Sequence, residues 1–135
     1  MILVVDASVT IAASFPDEQD AFALAVESAL VEFEGHVPWI WPIEVVNAWI
    51  VAERQKRMER ADVDRSVAAL SKYAVQIHQE RPPLTSLVDL CRRHQRTAYD
   101  ALYLSLALDL NAQIAPLDGG LRQSCREAGI ALFSP

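Results

Sequence analysis

The first 53 residues contain neither lysine nor arginine, although they hold nine acidic residues. All 12 basic residues lie in the remainder, against the other nine acids, so that part nets +3 within a chain of formal charge −6. A basic face is therefore compatible with the acidic total, and the acids of residues 17–34 read on their own as the solvated side of a surface helix. Glycine is scarce, with 4 residues, and no Gly-rich nucleotide loop of either common pattern is present. The two cysteines, Cys91 and Cys125, lack the paired spacing of zinc ligands or a disulfide framework and read as reduced, buried, small apolar residues. His36, His78 and His94 show no zinc-type spacing either. No apolar run approaches the ~18–20 residues of a membrane span, and the start, Met-Ile-Leu-Val-Val-Asp, has neither a basic n-region nor a cleavage site. A soluble, cytoplasmic protein with no membrane partner is the expectation.

What remains is a chain of 135 residues, 52% of them hydrophobic, sized for one globular domain spanning 1–135. Ile2 to Val5 is a continuous β-branched run that reads as a buried parallel strand, with a short helix from about Ser8. Phe22, Val26, Leu30 and Phe33 recur at helical spacing, with Gly35 as the stop. His36 to Trp41 reads as extended, and Pro42 opens a helix through Ile43 to Arg57. A further helix runs from about Asp62, and Val75 to Gln79 either closes it or opens a strand. Leu87 to His94 and Thr97 to Asn111 are helical, the latter the most apolar helix of the chain. Gln113 to Leu117 and Ile130 to Phe133 read as strands around a helix from Leu121 to Ala128. This alternation predicts an α/β fold with a mainly parallel central sheet covered by helices on both faces.

In such sheets, ligands bind beyond the carboxyl ends of the strands. Asp6 ends the first strand and Asp118 ends the strand at 113–117, while Glu44 and Asp100 fall in first helical turns after Pro42 and Thr97. Each has an ordinary explanation: Asp6 and Asp118 as N-caps, Glu44 at a positive helix end, and Thr97 to Asp100 as a capping box. Four acids at element junctions nevertheless point to a common purpose. Asp100 is the sharpest case, being the only charge between Ala98 and Leu108, with Arg96 as its only local ion-pair candidate. A carboxylate in so apolar a helix needs compensation. A cation supplies it, and an all-oxygen donor set selects Mg²⁺ or Mn²⁺. Without the ion, clustered carboxylates repel, and at least one should hold its proton to unusually high pH.

Four segments carry a resemblance: Val4-Val5-Asp6-Ala7-Ser8, Pro42-Ile43-Glu44-Val45-Val46-Asn47-Ala48, Ala98-Tyr99-Asp100-Ala101-Leu102-Tyr103 and Leu117-Asp118-Gly119-Gly120-Leu121. In this order and spacing the chain resembles PIN-domain ribonucleases, in particular VapC-type toxins of bacterial toxin–antitoxin pairs, over nearly its whole length. The resemblance implies a three-layer α/β/α sandwich and Mg²⁺- or Mn²⁺-dependent RNA cleavage. It carries catalytic and metal-holding roles onto Asp6, Glu44, Asp100 and Asp118, places Ser8 near the metal and makes Asn47 a support for Glu44. It further implies a cognate antitoxin and a homodimer or higher toxin–antitoxin assembly. Pro116 departs from the pattern, standing where the family often has a hydroxyl residue, which makes Asp118 the least secure of the four.

Arg92, Arg93, Arg96 and Arg122 are candidates for RNA phosphate contacts, with a solvated helix face as the ordinary alternative. A housekeeping RNA-processing nuclease of the same fold is the second functional reading. A weakly active RNA- or protein-binding module is a third, drawing on Trp39, Trp41 and Trp49 as interface residues against their use in a core. An aspartyl-phosphate site fits poorly, because Asp6 is followed by Ala7 and Ser8, and the only lysines, Lys56 and Lys72, lie inside predicted helices.

Overall fold

The computed structural model describes residues 1–18 and 20–135. Strand β1 (Ile2–Val5) lies between β2 (Glu34–Pro38) and β4 (Gln113–Ala115), and β3 (Val75–His78) forms the edge beyond β2, with every pairing parallel. Leu3 and Val4 are fully buried and Val5 nearly so. A strand covered on both faces has no polar side, which is why it reads as an unbroken apolar run. Among the described residues seven helices fill the connections: α1 (Ala7–Ser14), α2 (Ala21–Ala29), α3 (Trp41–Arg54), α4 (Arg60–Leu70), α5 (Leu84–His94), α6 (Ala98–Leu110) and α7 (Gly119–Glu127). Together they make a three-layer α/β/α sandwich around an all-parallel sheet.

The chain steps outward from β1 through β2 to β3, then returns across β1 to lay β4 on its other side. The reversal falls between β1 and β4, where an open parallel sheet leaves a crevice past its carboxyl ends. Helix α6 is buried almost all round, through Ala101, Leu102, Tyr103, Leu104, Ser105 and Ala107, and packs against β1, β2 and β4. Its first turn therefore lies at that edge.

Several local expectations are corrected. Helix α2 starts after the acids rather than among them, because Asp20 caps it by accepting from the Ala23 N–H at 2.9 Å. It stops at Ala29, and Gly35 lies inside β2, where a Cβ would stand 2.8 Å from Leu30 Cδ2. That glycine serves close packing rather than helix termination. Residues 75–78 form a strand. The expected strand at 130–133 reduces to one parallel bridge, Ile114 to Leu132, although Phe133 closes the core edge against Phe22 and Phe33 with ring centroids 6.2 and 5.8 Å apart. Trp41 and Trp49 are core residues. Cys125 is buried and Cys91 half-buried, both as free thiols. Among the described residues no helix is long and apolar enough to cross a membrane.

Candidate acidic centre

Asp6 leaves β1 and occupies the N-cap position of α1 in an extended conformation, yet its side chain makes no capping bond. It is 6% exposed. Its Oδ2 accepts a short hydrogen bond from Ser8 Oγ instead. Glu44, in the first turn of α3, accepts from the Tyr103 hydroxyl at 2.9 Å through Oε1. Asp100 stands in the first turn of α6, where its N–H donates to Thr97 Oγ1 at 3.2 Å. Asp118 does cap α7, its Oδ2 accepting from the Leu121 N–H at 2.8 Å.

The first three acids sense one another. Burial pushes the Asp6 carboxyl from its ordinary 3.8 up to about 6, with the negative charges of Asp100 and Glu44 adding to the rise and the Ser8 hydrogen bond opposing it. Glu44 is raised by burial and by Asp100, against the Tyr103 bond. Asp100 is raised by burial and by Asp118, against the guanidinium of Arg96. Tyr103, 1% exposed, has its hydroxyl held far above the ordinary range by burial, then by Glu44 and Asp6. The Cys125 thiol is pushed up to about 11, first by burial and then by Asp6. These are the signatures of carboxylates from separate elements sharing one poorly solvated space.

The donor set fits a hard divalent cation in kind and in charge, since all donors are carboxylate oxygens and Asp6 has no basic partner among the described residues. Among those residues, however, no three His, Cys, Asp or Glu side chains converge closely enough to enclose an ion as they stand. In this arrangement Asp6 is bonded by Ser8, Glu44 by Tyr103, and Asp118 by Leu121 and Arg96.

The remaining candidates separate. Asn47 is exposed and among the described residues makes no side-chain hydrogen bond to Glu44. Arg92 and Arg93 are exposed in the last turn of α5. Arg122 is held by packing, its Nε donating to the Pro116 carbonyl at 3.1 Å and its guanidinium lying 4.8 Å over the Phe22 ring. Arg96 Nη1 reaches Asp118 Oδ2 at 3.2 Å and Asp100 Oδ2 at 4.0 Å. Two contributors escaped the sequence reading. Tyr103 lies three residues after Asp100 and so on its helix face, a spacing that signals it in retrospect. Cys125 had no signal. The histidines stand apart from the centre: His36 Nδ1 and His78 Nε2 meet at 2.7 Å across β2 and β3, and His94 Nδ1 lies 3.5 Å from Glu127.

No protein-family profile and no curated protein matches the chain. Among solved structures it is similar to PAE2754 from Pyrobaculum aerophilum, with a TM-score of 0.71 and 21% identity over 92% of this chain and 84% of that one. At that identity the likeness establishes the fold alone.

Proposed function

We propose that the chain is a divalent-cation-dependent endoribonuclease of the PIN-domain type, acting as the toxin of a toxin–antitoxin pair. The observation that carries this reading is Asp6. A carboxylate buried at the end of the central strand, beside the sheet's reversal point, makes no helix cap and among the described residues has no basic side chain to pair with. Such a group costs stability unless something else compensates it, and the two nearest charges, Glu44 and Asp100, are also negative.

Asp6, Glu44 and Asp100 would hold Mg²⁺ or Mn²⁺, and Asp118 would add charge from outside. When bound, the ion would supply Lewis-acid activation of water and neutralisation of the scissile phosphate. Ser8 and Tyr103 orient Asp6 and Glu44 through the hydrogen bonds described, so both carboxylates start from fixed positions. Arg92 and Arg93 are free to meet RNA phosphates. The toxin assignment and a homodimer find support in unpartnered apolar surface: Ile43 and Val46 on α3 are 62% and 51% exposed, and Trp39, Leu84, Tyr99 and Leu102 line an apolar groove of about 300 Å³. An antitoxin or a second copy would cover such surface. Of the three tryptophans behind the binding-module reading, Trp41 and Trp49 lie in the core and Trp39 lines the groove.

The test incubates purified protein with a mixed RNA pool and Mg²⁺ or Mn²⁺, alongside EDTA and an Asp100→Asn variant. Fragments should form only in the wild-type, cation-containing reactions. Equal cleavage by wild type and variant would sink the assignment, and retention of intact RNA would favour the binding module. Co-expression with the product of a small neighbouring gene should relieve any growth arrest.

A further inference from the structure

Among the described residues Arg96 is the basic side chain within ion-pair distance of the acidic centre, bridging Asp118 at 3.2 Å and Asp100 at 4.0 Å. Three observations set it apart from an ordinary surface arginine. Its side chain is 27% exposed, against 61% for Asp118. Its Nε is buried without a hydrogen-bond partner, so the guanidinium is held in place by packing. Gly120, in the first turn of α7, leaves the space it occupies: a Cβ there would stand 2.7 Å from Nη2 and 2.8 Å from Cζ. Alanine is the better helix former by ~1 kcal/mol, and Gly120 has no positive φ to justify glycine. The close approach of Arg96 is what the glycine permits.

A helix-capping aspartate that is mostly exposed needs no such seat for its partner. Asp100 does, being half-buried and flanked by other acids. We infer that Arg96 is the resident cation of the Asp100–Asp118 side of the centre, keeping that side neutral so that the site takes one divalent ion, at Asp6, Glu44 and Asp100, where four unpaired carboxylates would take two. This rests on the cation-dependent reading above. It also reassigns Arg96 from RNA contact to a positioning residue that acts through the two carboxylates it touches.

The experiment is a direct Mn²⁺ titration of RNA-free protein by calorimetry, with free Mn²⁺ followed by electron paramagnetic resonance. Wild type and Arg96→Lys should each bind one equivalent. Arg96→Gln should bind two. Arg96→Met should also bind two, because it keeps much of the side chain's bulk while removing its charge. One equivalent in both Arg96→Gln and Arg96→Met overturns the inference. If Arg96→Gln does not fold, Arg96→Met decides alone. A wild type that binds no Mn²⁺ removes the cation reading itself, whichever way the variants behave.

Discussion

Replacing Asp6 by asparagine should make the cation-free protein more stable at neutral pH. In the folded state this carboxyl titrates at about 6 instead of 3.8, mainly because burial disfavours its charge. Between those two values the folded protein holds a proton that the unfolded chain has released, so stability falls as pH rises through the window and the loss is complete above about 6. At ~1.36 kcal/mol per pH unit between the midpoints, the cost at pH 7.5 is ~3 kcal/mol. Asparagine avoids it, because its amide oxygen still accepts from Ser8 Oγ. Thermal unfolding in EDTA should show Asp6→Asn melting roughly 10 °C above wild type at pH 7.5. At pH 4, where the folded carboxyl is protonated, the gap should shrink to ~0.5 kcal/mol. Saturating Mn²⁺ should raise the wild-type transition by ~3 kcal/mol at about 100 times its dissociation constant and leave the variant unmoved. A variant less stable than wild type at pH 7.5 in EDTA would refute the claim that Asp6 is an uncompensated buried charge.

Tyr103→Phe should cost ~1 kcal/mol in denaturant unfolding, since Glu44 loses its buried donor, and should lift the Glu44 midpoint further, as read by carboxyl NMR titration. Gly35→Ala should destabilise by ~1–2 kcal/mol, because the added methyl meets Leu30 and Val75 between α2 and the sheet; a neutral result would mean that Leu30 can move aside. Arg92→Ser with Arg93→Ser should weaken binding of single-stranded RNA and reduce the salt slope by about 0.7 per lost phosphate contact. Arg122→Ala should leave RNA affinity unchanged while lowering the unfolding midpoint, because its contacts are to Pro116 and Phe22.

The fold was legible where burial writes itself into composition. Ile2–Val5, an inner strand with no polar face, and Ile114–Ala115 of the edge strand β4 stood out as apolar runs, whereas apolar spacing along α4 was a weaker guide, since Val63 is buried but Val67 is 49% exposed. Boundaries were blurred wherever a polar side chain had two uses. Asp20 belongs to an acidic run and is also a helix cap, which displaced the start of α2. Gly35 has the composition of a stop signal but works as a gap for Leu30, a fact fixed by a contact between segments that sequence order keeps apart. The 130–133 run is apolar enough for a strand, yet it joins the three-residue β4 through one bridge, Ile114 to Leu132.

The centre was legible to the extent that its residues sit at strand-to-helix junctions, a property of order along the chain. Asp6, Glu44 and Asp100 are brought into mutual influence by β1, α3 and α6 for that reason. What order cannot convey is which carboxylate is already satisfied. Asp118 has the same junction signature as Asp6, but the backbone of Leu121 and the guanidinium of Arg96 take up its Oδ2, whereas Asp6, in the same cap position, is turned away from its helix toward Ser8. Two aspartates that look alike in sequence thus differ in what they lack. Gly120, lacking a side chain, leaves room for the arginine beside Asp118, and among the described residues no basic side chain pairs with Asp6. A cation entering this centre would therefore meet its largest uncompensated charge at the end of β1, which makes Asp6, ahead of the more conspicuous Asp100, the residue on which binding should depend most steeply.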